Sequence, residues 1–247
     1  MERSHTDKDC RVAVITGASR GLGYAFAQQL LKLNYRVGIC SSSQKHLADA
    51  HHTLISESQK DRVFSLTTDM TKESQVENFF DNVVSRFGRI DLVINNVGYL
   101  KVTKFENLLV DDWSKTIDLN LKTCFLGCHF AFKHMLNQPG TKHILNISSL
   151  SGIRFIQKFP GMSAYIASKH AIIGLTESLA VEGKEHNIHV NCLAPGSIDT
   201  KMFNDNFPQH QASSSCDKVV NAGLKLCTDH NENAISGCVI EMISDTL

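Results

Sequence analysis

The chain has 247 residues, 25 lysines and arginines against 25 aspartates and glutamates, and 42% hydrophobic side chains with 15 glycines. A chain of this size and composition should hide roughly 70% of its unfolded surface in a core, which excludes a disordered, collagen-like or coiled-coil polymer. Net neutrality argues against nucleic acid or an anionic membrane as partner, since both demand a basic face. No uncharged apolar run approaches the roughly 18 residues of a membrane span.

The segment Met1–Cys10 carries charges of both signs and no apolar stretch, so it reads as a polar lead-in rather than a secretory signal. Residues 11–247 then read as one catalytic domain. Val12–Thr16 is a β-rich run, followed by glycine punctuation and a helical pattern through Leu33. Val37–Cys40 predicts a second strand, Leu47–Ser56 a helix, Val63–Thr67 a third strand and Val76–Phe87 a helix. Ile90–Ile94 is a compact apolar strand, and a helix rich in Leu, Phe and Cys runs from about Trp113 to Asn137. His143–Ile147 is strand-like, Ala164–Glu182 a long helix, and His189–Leu193 and Cys238–Met242 the last strands. Strands separated by helices imply right-handed βαβ crossovers, hence an α/β fold with a single doubly wound parallel sheet and helices on both faces. The polar stretch Phe203–Ser215 reads as a mobile loop.

The eight cysteines are scattered, mostly within apolar runs, and form no CxxC pair, so they read as buried free thiols of a cytoplasmic protein. Cys124, Cys128 and His129 lie in an apolar helical stretch, where core packing explains them better than a metal does. His51 and His52 read as solvated, and Trp113 as the anchor of a helix start.

Three motifs carry chemistry. Thr16-Gly17-Ala18-Ser19-Arg20-Gly21-Leu22-Gly23 follows a strand and opens a helix. Glycine there permits a tight turn and close approach to a pyrophosphate, while the helix N-terminus offers free N–H groups. Ile94-Asn95-Asn96-Val97-Gly98 ends the fourth strand, where such sheets bind ligands. Tyr165 and Lys169 stand at i and i+4, on one helix face, so an ammonium beside the phenol would lower its pKa toward working pH. Upstream, Asn146–Gly152 ends a strand with serines able to bind a substrate carbonyl. Downstream, Asn191–Gly196 ends the next, followed by Ser197, Ile198 and Thr200, whose backbone and hydroxyl groups suit a carboxamide.

Taken together, TGASRGLG, NNVG, NISS, YIASK and PGSIDT resemble, in order and approximate spacing, the short-chain dehydrogenase/reductase family across residues about 11 to 200. The flavour is that of 3-oxoacyl-carrier-protein reductases and carbonyl reductases. The resemblance implies a Rossmann-like fold and an oxidoreductase passing hydride between NADP(H) and a ketone, aldehyde or secondary alcohol. It makes Tyr165 the general acid/base, Ser149 the carbonyl-oxygen binder, Lys169 the residue that tunes Tyr165 and binds the ribose, and Asn120 the residue that holds a helix and a relay water. Ser148 and Ser151 are rivals to Ser149, which alone keeps the SxxG spacing to Gly152. The cofactor would lie on Gly17, Ser19, Arg20, Gly21, Leu22, Gly23, Ser41, Ser42, Asp69, Met70, Asn96, Val97, Gly98, Tyr165, Lys169, Pro195, Gly196, Ile198 and Thr200, with no metal. A homodimer or homotetramer is the implied assembly.

NAD-preferring enzymes place an acidic residue after the second strand. Here that place reads Cys40-Ser41-Ser42-Ser43, with no carboxylate to repel a 2′-phosphate, and the Arg20 guanidinium stands within the glycine turn. Both favour NADP(H). Ser42 replaces a basic residue common in such enzymes, so NAD(H) and an NAD-dependent secondary alcohol dehydrogenase remain the alternative, beside a non-catalytic nucleotide-binding redox sensor. Two departures stand out. Ser149 and Tyr165 lie farther apart than is usual, as if Arg154–Phe159 held an insertion of about three residues, making Phe155, Ile156 and Phe159 expected apolar walls of the substrate pocket. The family's terminal Gly-Gly is replaced by Glu241-Met242-Ile243-Ser244.

Overall fold

The computed structural model describes residues 10–58, 60–231 and 233–243, so most of the expected lead-in, Met1–Asp9, lies outside the described residues. Seven strands form a fully parallel sheet in the order β3-β2-β1-β4-β5-β6-β7. They are β1 Val12–Thr16, β2 Arg36–Ser41, β3 Val63–Thr67, β4 Leu92–Asn95, β5 Lys142–Ile147, β6 Ile188–Pro195 and β7 Val239–Met242. The α-helices are α1 Gly21–Lys32, α2 Gln44–Ser56, α3 Glu73–Phe87, α4 Val110–Ile117, α5 Thr123–Met135, α6 Ser163–Gly183, α7 Lys201–Asn206 and α8 Cys216–Cys227.

The central strands are buried on both faces because alternate side chains feed two cores. Ala13, Ile15, Val37, Ile39, Leu92, Ile94 and Leu145 pack with Phe26 and Leu30 of α1 and Val220 and Leu224 of α8. Val12, Val14, Val93, Ile144 and Val190 point the other way, to Phe79, Phe80 and Val83 of α3 and Phe130 and Met135 of α5. The order reverses between β1 and β4, which opens a crevice at the carboxyl ends of the strands.

Several elements differ from expectation. α2 starts three residues early because the Ser43 hydroxyl accepts the His46 N–H and caps it. The predicted helix Trp113–Asn137 is α4 and α5 joined by a π turn, Asp118–Lys122. Trp113 lies inside α4 and stays exposed, so it anchors no helix start. Phe203–Ser215 is not one open loop: α7 occupies its first part, and a short parallel ladder ties Ser197–Asp199 to Ser213 and Ser214. His51 is half-buried while His52 is exposed, correcting the reading of both as solvated. All eight cysteines are free, five of them buried, and no cluster among the described residues has the makings of a metal site.

Candidate active site

The glycine turn is shaped by backbone conformation. Gly17 and Gly21 have φ of 65° and 58°, which any L side chain would resist. A Cβ on Gly23 would meet Asn96 Nδ2 at 2.5 Å and the Gly17 carbonyl at 2.7 Å, so this helix start passes flush against the end of β4. Asn96 fastens the contact, its Nδ2 donating to the carbonyls of Thr16 and Gly17 at 3.1 Å and its N–H to Thr16 Oγ1 at 3.0 Å. Arg20, exposed and extended, takes the N-cap position of α1 without a side-chain cap, and the first turn holds no carboxylate. Those are the features of an anion site: uncapped N–H groups, a positive dipole end and an exposed guanidinium beside them.

The π turn presents Asn120, which is fully buried. Its Oδ1 accepts the Tyr99 N–H at 2.6 Å, and its Nδ2 donates to the Tyr99 carbonyl at 3.0 Å and Ser168 Oγ at 2.9 Å. The extra residue in that turn rotates the amide across to α6; π turns recur at functional sites for such reasons. Ser168 Oγ in turn donates to the Tyr165 carbonyl at 2.7 Å. One buried amide thus ties the chain beyond β4 to the helix that carries Tyr165.

Ser149 follows β5 and its Oγ accepts the Ser151 N–H at 3.1 Å, capping a short 3₁₀ turn. Its side chain faces the Tyr165 phenol and draws the pKa of that group downward. Ser148, one of its rivals, is turned away: its hydroxyl donates to the Lys169 carbonyl at 2.7 Å. Gly152 lets this turn touch α6, since a Cβ there would lie 2.7 Å from the Lys169 carbonyl carbon. Lys169, only 3% exposed, donates to the Ile147 carbonyl at 2.8 Å with its Nζ 5.7 Å from the Tyr165 ring centre. Burial lowers its pKa to about 8. Tyr165 departs from the expected direction. Burial pushes the phenol up, opposed by the facing Ser149 side chain, because removing a phenolate from water costs more than its neighbours return.

Gly98 completes the crevice, with a Cβ there falling 3.7 Å from Lys169 Nζ, 3.9 Å from Asn120 Oδ1 and 3.6 Å from Met202 Cε. Thr200 caps α7 and lies over the glycine turn, its Cγ2 3.6 Å from where a Gly21 Cβ would be. Segments distant in sequence thereby line one cleft at the carboxyl ends of β1, β4, β5 and β6.

A family model described as short chain dehydrogenase matches residues 11–211. The chain belongs to the short-chain dehydrogenase/reductase family. The levodione reductase of Leifsonia aquatica is 33% identical over 200 residues, covering 81% of this chain and 73% of that protein. A 3-oxoacyl-carrier-protein reductase of Chlamydia trachomatis is 32% identical over 199 residues, covering 79% of this chain and 78% of the relative. An acetoacetyl-CoA reductase of an Acinetobacter strain reaches 35% over 193 residues, with 78% and 76% covered. A crystal structure of levodione reductase superposes with a TM-score of 0.86 at 27% identity, covering 97% of each chain. Members of this family are oxidoreductases that use NAD(P)(H) on small molecules. No described helix is long and apolar enough to cross a membrane.

The short-chain dehydrogenase/reductase motifs are not all equally placed. Leu22 and Ile198 pack against the core, leaving their backbone to the crevice. Val97 touches Gly17, and Pro195 closes β6 as Gly196 approaches Ser213. Ser41 Oγ accepts the Ser43 N–H, and Ser42 is exposed beyond it. The Asp69 carboxyl tends upward through burial, but the N–H and hydroxyl of Thr71 outweigh that and hold it low. Met70 points into the core, its Sδ 3.7 Å from Cys40 Sγ, so only its backbone is available to a ligand. Phe155 and Phe159 do not act as pocket walls: Phe155 is 94% exposed with φ of 65°, its ring under the Arg154 guanidinium, and Phe159 is exposed too. Lys158 donates back to the carbonyls of Ser151 and Ile153, folding that loop upon itself. Sequence reasoning missed Met202 beside Gly98 and Ser168 beside Asn120. The i+3 spacing from Tyr165 to Ser168 was the available signal for the second.

Proposed function

We propose that the protein is an NADP(H)-dependent reductase of a ketone or aldehyde, able to run in reverse as an alcohol dehydrogenase. The observation that carries this reading is the buried Tyr165 phenol facing the Ser149 side chain, with the buried Lys169 ammonium 5.7 Å from the phenol ring. The glycine turn, Arg20, Asn96, Gly98 and the Pro195–Thr200 segment suit a dinucleotide, because the space before Gly17, Gly21 and Gly98 would be lost to any side chain. When bound, such a cofactor supplies or accepts the hydride at its nicotinamide ring. In the reduction direction, Ser149 donates a hydrogen bond to the substrate carbonyl oxygen, and Tyr165 transfers its hydroxyl proton there as the carbon receives hydride. The raised phenol pKa keeps that proton available, and the Lys169 ammonium stabilises the phenolate that remains. Asn120 holds the helix that positions both.

The names printed for the relatives, reductases of levodione, 3-oxoacyl chains and acetoacetyl-CoA, agree with carbonyl reduction. The preference for the phosphorylated cofactor rests on the absence of a carboxylate after β2 and on the unengaged Arg20. Exposed Phe105, Leu109, Val110 and Phe125 near α4 and α5 suit a homodimer or homotetramer. We read residues 11–247 as one catalytic domain working in the cytoplasm. Fluorescence titration with NADPH and NADH tests the cofactor assignment. Wild type should bind NADPH more tightly, with Arg20→Ala losing about tenfold for NADPH and little for NADH. Preference for NADH would favour the NAD-dependent alcohol dehydrogenase, and binding of neither would overturn the enzyme reading.

A further inference from the structure

The far end of the sheet holds a group of imidazoles that the proposed reaction does not use. His143 on β5 and His189 on β6 are register partners in the parallel ladder, with ring centres 5.4 Å apart and planes within 28°. His230, in the connection after α8, meets His143 edge-on at 5.9 Å. Tyr35 Oη lies 3.1 Å from His230 Nε2 and closes the group from the α1–β2 side. His143 and His189 are 1% and 8% exposed. Both ring nitrogens of each, and Nδ1 of His230, are buried without a well-formed hydrogen bond.

A neutral imidazole carries one N–H, whereas a protonated one carries two and a full charge. The surroundings receive that charge badly. Arg11, before β1, faces His143 and adds positive charge, and Lys142 of β5 does the same toward His189. Asp229 is the one carboxylate facing both rings, and its Oδ1 already accepts from Asn231. The backbone of Asp229 faces His143, and that of Ala234 faces His189. Cys227 of α8 faces Tyr35, as does Asp91, which also faces Lys142 but is held by Arg89. Two adjacent cations in this stack would repel each other and the Arg11 guanidinium together.

We propose that His143 and His189, closed over by His230, form an acid-sensitive latch, neutral and closed near pH 7, whose protonation frees the connection after α8 from β5 and β6 and destabilises the fold. The connection is held at this place by Thr141 Oγ1 donating to the His230 carbonyl, by Gly237 N–H donating to Val190, and by Asn191 Nδ2 donating to Ile235. Burial and the neighbouring His189 lower the pKa of His143 to about 4, and burial lowers that of His189 as well. Folded values below unfolded ones mean that the stabilisation is complete above about pH 6.5 and is lost as pH falls toward 4.

The test compares urea unfolding of the full-length wild type and His143→Phe between pH 7 and 5. The wild-type unfolding constant should rise roughly twentyfold more than that of the variant, which has lost the largest titration. Hydrogen exchange should show protection lost first at Ala234 and Gly237, whose N–H groups are bonded there. Parallel unfolding curves would overturn the latch. So would wild-type imidazole resonances of His143 and His189 that titrate near 6.5, a measurement that decides the matter even if the variant fails to fold. Zinc chloride that stabilised wild type but not the variant would replace the latch with a metal site.

Discussion

The two ends of the parallel sheet bury polar groups in opposite ways. At the carboxyl ends, Asn120, Ser148, Ser168 and Lys169 each have a well-formed partner. Their bonds go largely to backbone or to one another, so the side chains are fixed before any ligand arrives. At the amino ends, the carboxylate of Asp91 is equally well satisfied, taking three contacts from Arg89 and the Val12 N–H at 2.8 Å. Beside it, however, the imidazoles of β5 and β6 lie unsatisfied. The difference teaches that burial alone does not mark a working site. What separates them is whether the buried groups converge on open space: Gly98 provides it in front of Lys169, whereas His143 is sealed by His189 and His230.

The sharpest way to break the comparison is at Tyr165. Tyr165→Phe should lower kcat/KM for a carbonyl substrate by about 10²–10⁴-fold while leaving the melting temperature and dinucleotide affinity nearly unchanged. An equal loss in binding would mean that the hydroxyl serves structure instead. At the other end, the sign reverses from activity to stability. Asp91→Ala should cost about 3 kcal/mol in denaturant unfolding, since it strips the buried Val12 N–H and the Arg89 guanidinium of their acceptor together.

Lys169→Met sets the two effects against each other. The folded pKa of Lys169 lies at about 8, below its ordinary 10.5, so the fold favours the neutral amine. Burying the ammonium therefore costs stability in full below pH 8, and that cost fades as pH rises from 8 toward 10.5. The variant should be inactive yet more stable at neutral pH, by up to about 3 kcal/mol, with the gap to wild type narrowing above pH 8. Thermal unfolding across pH 6–10 measures it; a variant less stable at neutral pH would show that the bond to Ile147 outweighs desolvation.

Most of the crevice was legible in the sequence because its chemistry is local. The glycines at 17 and 21, Asn96 at a strand end and the Tyr165–Lys169 helical spacing each fix their placement within a few residues. Other elements were not. α8 went unread because its apolar residues Val219, Val220, Leu224 and Leu226 acquire meaning only against α1, where Gly223 makes room for Phe26 at 2.8 Å from a would-be Cβ. The Ser215 cap and the i, i+4 spacing of Val220 and Leu224 were its local signs. The Phe155 loop was misjudged because its distance from the Ser149–Tyr165 pair is short in sequence, while its direction depends on Lys158 reaching back to two carbonyls.

By itself, then, the sequence determined most of the alternation of strands and helices, the order of the crevice motifs and the shared helix face of Tyr165 and Lys169, since periodicity and i, i+4 spacing are properties of neighbouring residues. The tertiary structure decided what strand register and long-range packing control. It turned Asn120 toward Tyr99 and Ser168 through a π turn, brought Met202 to Gly98, and raised the Tyr165 pKa by burial. It also stacked His143 on His189, forty-six positions away, because parallel pairing places β5 and β6 side by side in that register and no other.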